Sequence, residues 1–227
     1  MLSSLYTGEI KRVPQGTLFP YNVAMVQNVI IFIDGENFFR CIKENFFNYN
    51  LGHKDSRFVK SKDIKEGFDL VAFCKYLTRA DSDVLKEIYY YDARLGNGFP
   101  IEAISSQNRF LKNLGNKGVV VRIGKVENNR QKGTDVFLAT DLLTLGWRNK
   151  YNLALLLSND KDFRPAIDSL QRSYKNCKLA VQYCHFHHGY CRALDEICAR
   201  VLKIRNGEIY RFCSPNLQKK WLPSPNV

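Results

Sequence analysis

The chain has 227 residues, 45% of them hydrophobic and 25% charged, the composition of an ordinary folded protein and not of a disordered or collagen-like one. No apolar run approaches the roughly 18 residues that a membrane-spanning helix needs, and the first residues, MLSSLYTGEIKRVPQG, lack the apolar stretch of a signal peptide, so a soluble cytoplasmic protein is expected. Lys and Arg number 34 against 22 Asp and Glu, a formal charge of +12 that favours polyanionic partners and says nothing about fold.

Residues 1–27 contain Pro14, Gly16 and Pro20 without a sustained period and read as an N-terminal extension. NVIIFI, ending at Ile33, is almost wholly β-branched or aromatic and predicts a buried central strand. Phe38, Phe39, Ile42 and Phe46 then recur at helical spacing. Residues 51–61 read as a charged loop, after which Asp63 to Leu77 predicts a second helix. EIYYYDA and GVVVRIG predict two more strands, with a helix from Ile101 to Leu114 between them that stops at Gly115. NLALLLS is a fourth strand, followed by a helix from Phe163 to Tyr174. KLAVQYC is a fifth, followed by a helix around Cys191 to Ala199. VLKI and EIYRF flank Asn206-Gly207 and predict a terminal strand or hairpin, beyond which Pro215, Pro223 and Pro225 mark a loosely held tail.

Strands alternating with amphipathic helices predict an α/β protein: a single doubly wound domain with a parallel central sheet over residues 28–205, with 206–227 a C-terminal strand or tail. The seven cysteines are odd in number and lack a framework spacing, which fits a reducing compartment. Cys184, Cys191 and Cys198 recur near His185, His187 and His188. Without a Cys-x-x-Cys pair, burial explains this pattern better than zinc.

In an open parallel sheet, ligands bind outside the carboxyl ends of the strands. Asp34 follows the first strand, Asp135 lies in the turn and first helical positions after the third, and Asp160 and Asp162 follow Ser158 at the end of the fourth. Taken singly, Asp34 could mark a tight turn, and Asp135 and Asp162 could cap helices. Together they are expected to converge and repel, a conflict that a hard divalent cation such as Mg²⁺ relieves while leaving room for a substrate phosphate. Asp141, six residues after Asp135, is a secondary candidate ligand at the edge of the site. The loop HFHHGY should emerge beside the same crevice, where His185, Phe186 and His188 are expected to stack on unpaired bases.

The segments IFIDGENFF, KGTDVFLATDLL and LLLSNDKDFRPAI, in that order, resemble the NYN-domain (LabA-like) family of PIN-like metal-dependent nucleases. The resemblance implies a PIN-like, Rossmannoid fold and a ribonuclease in which Asp34, Asp135, Asp160 and Asp162 hold Mg²⁺ or Mn²⁺. It also implies that Asn37 orients the first carboxylate or a water, that Ser158 supports the turn or touches a phosphate, and that Lys132 contacts the substrate backbone. Single-stranded RNA is the favoured partner, no membrane is expected, and a homodimer stays open. Two positions depart from the family pattern. Asn159 stands where glycine is usual, which a left-handed backbone would tolerate, and Ala199 stands where many members carry Asp. A different class of function, a catalytically inactive nucleic-acid or protein-binding module on the same fold, would use the basic surface alone. Phosphoryl transfer through an aspartyl phosphate fits less well, because Glu36 occupies the position where a second Asp is wanted.

Overall fold

The computed structural model describes residues 27–47, 59–78, 83–96, 98–127, 130–173, 179–186 and 190–220. Its chain order is β1 (Gln27–Asp34), α1 (Gly35–Ile42), α2 (Ser61–Gly67), α3 (Leu70–Leu77), β2 (Asp83–Ala93), α4 (Ile101–Asn116), β3 (Val120–Glu127) and β4 (Arg130–Lys132). There follow α5 (Thr134–Trp147), β5 (Leu153–Leu157), α6 (Arg164–Ser173), β6 (Ala180–His185), α7 (Arg192–Asp195), β7 (Arg200–Lys203), α8 (Asn206–Tyr210) and α9 (Pro215–Gln218).

These strands form one seven-stranded sheet in the order β4-β3-β2-β1-β5-β6-β7. All neighbouring pairs are parallel except β3 with β4. The chain first winds outward from β1 through β2 to β3 and then returns to β1's other side with β5, so the switch point lies between β1 and β5. Ile33 pairs with Tyr90 on one side and with Leu157 on the other, which sets these strand ends level.

The continuous apolar character of β1 follows from burial on both faces. Val29, Ile31 and Ile33 enter a core with Phe38, Phe39 and Phe73 from α1 and α3, while Ile30 and Phe32 enter a second core with Leu138, Leu142, Ile167 and Leu170 from α5 and α6. Period-two alternation therefore feeds two cores at once. Among the described residues, no helix is long and apolar enough to cross a membrane.

Several boundaries differ from expectation. The single helix from Asp63 to Leu77 is two, because Phe68 forms a bridge to Cys213 and Asp69 caps α3 by accepting from the Ala72 amide at 3.2 Å. Helix α4 runs through Gly115 and ends before Gly118, whose φ of +83° supplies the left-handed stop. Strand β4 was not anticipated: it folds back on β3, pairing Lys125 with Lys132, and so delays the start of α5. The helix read from Cys191 to Ala199 contracts to the short α7.

VLKI forms β7, but EIYRF is no hairpin arm. It supplies α8 and the following turn, with Ile209 buried in the first core. Pro215 starts α9, whose Leu217 is also buried, so this proline marks a helix N-terminus where a tail was expected. The N-terminal extension up to residue 26, the charged loop at 51–58, and Pro223 and Pro225 lie outside the described residues.

Candidate active site

At its carboxyl end β1 passes into α1 with no intervening loop. Asp34 caps that helix: its Oδ1 accepts from the Asn37 amide at 3.2 Å. The next residue must be glycine, because a Cβ at position 35 would lie 2.3 Å from the ring of Tyr90, a fully buried side chain on the neighbouring β2.

The turn after β5 is tied to the same point. Ser158 Oγ donates to Asp34 Oδ2 at 2.9 Å and accepts from the Asp160 amide at 3.1 Å. Asp160 Oδ1 accepts from the Asp162 amide at 2.9 Å and caps the 3₁₀ turn Lys161–Phe163. The side-chain oxygen of Asn37 accepts from the Asn159 amide at 3.1 Å, and Asn159 in turn bonds to Cys41 Sγ at 3.0 Å. Tyr183 of β6 donates to Asn159 Oδ1 at 2.9 Å and closes the network.

Asp34, Asp135, Asp160 and Glu36 line one crevice of about 660 Å³, together with Arg40, Lys62 and Lys65. Burial pushes the Asp34 carboxyl up to about 6; the bonds from Asn37 and Ser158 oppose that rise, and the charges of Asp135 and Asp160 add to it. Asp135 is also raised, by burial first and then by Asp160, Asp162 and Glu36. The carboxylates from three strand ends therefore feel one another.

Among the described residues, no three His, Cys, Asp or Glu side chains form a ready-made cage for an ion. The chemistry of the donor set nevertheless fits a hard divalent cation, which is commonly carried by one or two carboxylates plus water and substrate oxygens. Each bonded oxygen of Asp34 keeps a further lone pair, and the Asp135 carboxylate makes no hydrogen bond or ion pair among the described residues.

The other expected residues distribute unevenly. Asp162 is exposed and stands outside the lining of the crevice, and the capping role expected of it belongs to Asp160. Asp141 is not brought to the site. Its Oδ2 accepts from Tyr91 at 3.0 Å and pairs with Arg122 at 3.3 Å, against β2 and β3. Ser158 is buried and supports the turn, and Asn37 orients Asp34 through its backbone while its side chain holds the β5 turn. Asn159 needs no left-handed backbone, since Asn149 is the only non-glycine with positive φ among the described residues; its side chain is retained by Cys41 and Tyr183.

Lys132 pairs through its backbone in the β3–β4 hairpin, and its side chain lies outside the described residues, as does His188. The base-stacking expectation for His185 and Phe186 is corrected. His185 is buried against Tyr183, and Phe186 is buried against Phe38, so neither ring is presented to a ligand.

Two acidic residues of the crevice, Glu36 and Asp92, were not among the expected site residues. Asp92, at the end of β2, is buried and bonded to Tyr90 at 3.1 Å and to Lys65 at 2.9 Å. The strand-end rule that selected Asp34 also applies to the aspartate in EIYYYDA.

The model of the NYN domain matches residues 28–198, which include every strand-end carboxylate of the crevice. The chain belongs to the NYN-domain family. NYN domains are PIN-like nuclease domains, whose members generally use divalent metals and act on RNA. No curated protein matches this NYN chain in sequence. Its fold is similar to that of a solved protein of unknown function from Vibrio parahaemolyticus. The TM-score is 0.54 at 15% identity, and the match covers 79% of this chain and 94% of the other.

Proposed function

We propose that this NYN protein is a metal-dependent endoribonuclease, with Asp34, Asp135 and Asp160 as the carboxylates that hold Mg²⁺ or Mn²⁺ and Asp162 as an outer carboxylate at the rim. The observation that carries this reading is the meeting of three aspartates in one crevice at the carboxyl edge of the sheet, where Asp135 and Asp160 raise Asp34 and Asp160 raises Asp135. A bound ion there supplies charge neutralisation at the phosphate and makes water a stronger acid.

The chain's own side chains do the rest. Ser158 and the Asn37 amide fix both oxygens of Asp34, so its remaining lone pairs are aimed before substrate arrives. Arg40 and Lys62 form no ion pair among the described residues and line the crevice, where they attract the RNA backbone. Water adds to phosphorus, the bond to the 3′-oxygen breaks, and a proton ends on that oxygen, leaving a 5′-phosphate and a 3′-hydroxyl.

One observation favours a second reading, a non-cutting module that binds RNA or protein: among the described residues no three ligand side chains are drawn together as they stand. Metal dependence separates the two. Labelled single-stranded RNA, duplex RNA and DNA are incubated with the protein and Mn²⁺, Mg²⁺ or chelator. Cleavage of RNA with metal and none with chelator is expected. Binding without cleavage under every condition would leave the module reading in place.

A further inference from the structure

The lining of the crevice is not made of charged side chains alone. Leu95, Phe99 and Ala103 form an apolar wall there, at the turn that leads into α4. That turn is built: the Phe99 amide donates to the Gly96 carbonyl at 3.3 Å, and Gly98 takes a φ of +108° that few other residues adopt. Phe99 is 38% exposed, and its ring meets no other aromatic ring among the described residues. What distinguishes Phe99 from the other exposed apolar side chains is its place in the lining of the crevice that holds the carboxylates. The remaining aromatic residue in that lining, Phe110, is buried against Phe39 and Tyr90.

We infer that Phe99 is the stacking platform for an unpaired base next to the scissile phosphate, with Arg40 and Lys62 holding the adjoining backbone, so that the crevice selects single-stranded RNA. This rests on the ribonuclease reading above and deepens it. Three observations meet here. The ring shares a crevice with the carboxylates; that crevice, about 660 Å³, is large enough for a nucleotide; and Arg40 and Lys62, which form no ion pair among the described residues, lie in the same lining. A base inside a duplex has both faces covered by its neighbours and cannot reach such a ring without unstacking. In the HFHHGY loop, His185 and Phe186 are buried and do not offer this contact.

The test uses the full chain in chelator, with a fluorescein-labelled oligouridine and the same strand annealed to its complement as probes. Phe99→Ala should weaken binding of the single strand about 5- to 150-fold, the equivalent of about 1–3 kcal/mol, and leave duplex binding within about twofold. Phe99→Trp should restore single-strand binding and add a tryptophan emission that the unlabelled single strand quenches and the duplex does not. Unchanged single-strand binding by Phe99→Ala, an equal loss on both probes, or an altered sedimentation coefficient that marks Phe99 as a contact between copies would each overturn the inference. Failure of the two readings is distinguishable. Quenching without any metal-dependent cleavage by the wild type sinks the nuclease and keeps the platform, whereas cleavage without quenching sinks the platform alone.

Discussion

Asp34 and Gly35 occupy one crowded corner for two separate reasons, and each makes a prediction. Gly35 has no room for a methyl group, because the Tyr90 ring stands 2.3 Å from where it would sit and is fixed by its own bond to Asp92 at 3.1 Å. Gly35→Ala should therefore cost about 3 kcal/mol, the upper part of the range for overpacking, read as a lowered urea midpoint. A midpoint equal to that of the wild type would mean the ring can move. For Asp34 the demand is chemical. Asn at this position can still accept from the Asn37 amide, but it offers no anionic ligand. Asp34→Asn should abolish metal-dependent RNA cleavage while RNA affinity, supplied by the basic surface, changes less than about threefold. Asp160→Asn should behave alike in the same gel assay, and cutting at wild-type rate by both would place the chemistry elsewhere.

At the scale of elements, the turn from β5 to α6 is held by a neighbouring strand. Tyr183 of β6 donates to Asn159 and accepts from the Cys191 amide at 2.9 Å, so one hydroxyl fixes the β5 turn and the start of α7. Tyr183→Phe leaves both partners short and should cost about 1–3 kcal/mol. Because Asn159 precedes Asp160, cleavage should fall as well, with an intact circular dichroism spectrum as the control; full activity would mean the turn holds itself. Such cross-strand ties are invisible in sequence, whereas the strands are legible because burial on both faces leaves continuous apolar runs such as VIIFI and LALLL. The divided helix α2–α3 was illegible for the opposite reason. Its break is imposed by a bridge from Phe68 to Cys213, far along the chain. The strand-end rule pointed to Asp34, Asp135 and Asp160, which line one crevice, but periodicity cannot reveal that a ring is buried, so His185 and Phe186 were misjudged. Asp92 answers to the same strand-end rule, whereas its bond to Lys65, 27 residues away on α2, is invisible in sequence.

For the whole molecule, the sheet order puts Asp34 at the end of the central strand β1, so folding itself must hold its carboxyl out of water. Its carboxyl titrates at about 6 in the folded protein against an ordinary 3.8. Between these values the folded state binds more protons than the unfolded one, so stability falls as pH rises through that window and is level above it. A displacement of about two pH units corresponds to about 3 kcal/mol at most, or roughly 6–12 °C of melting temperature in a chain of this size. The destabilisation is absent below pH 3.8, grows to about pH 6 and persists at neutrality. A cation bound only by the folded site should reverse it by mass action, and protons should compete with that cation as pH drops below about 6. The experiment is a set of thermal melts of wild type and Asp34→Asn from pH 4 to 7, each in chelator and in Mn²⁺. In chelator, Asp34→Asn should gain on the wild type as pH rises toward 6 and then keep its advantage, since it lacks the titrating group. With Mn²⁺ at neutral pH the wild type should melt several degrees higher, with a gain that fades toward pH 5, and Asp34→Asn should respond little. Parallel pH profiles for the two proteins, with no Mn²⁺ response in either, would show that Asp34 is a helix cap whose burial is compensated by its bonds to Asn37 and Ser158 alone.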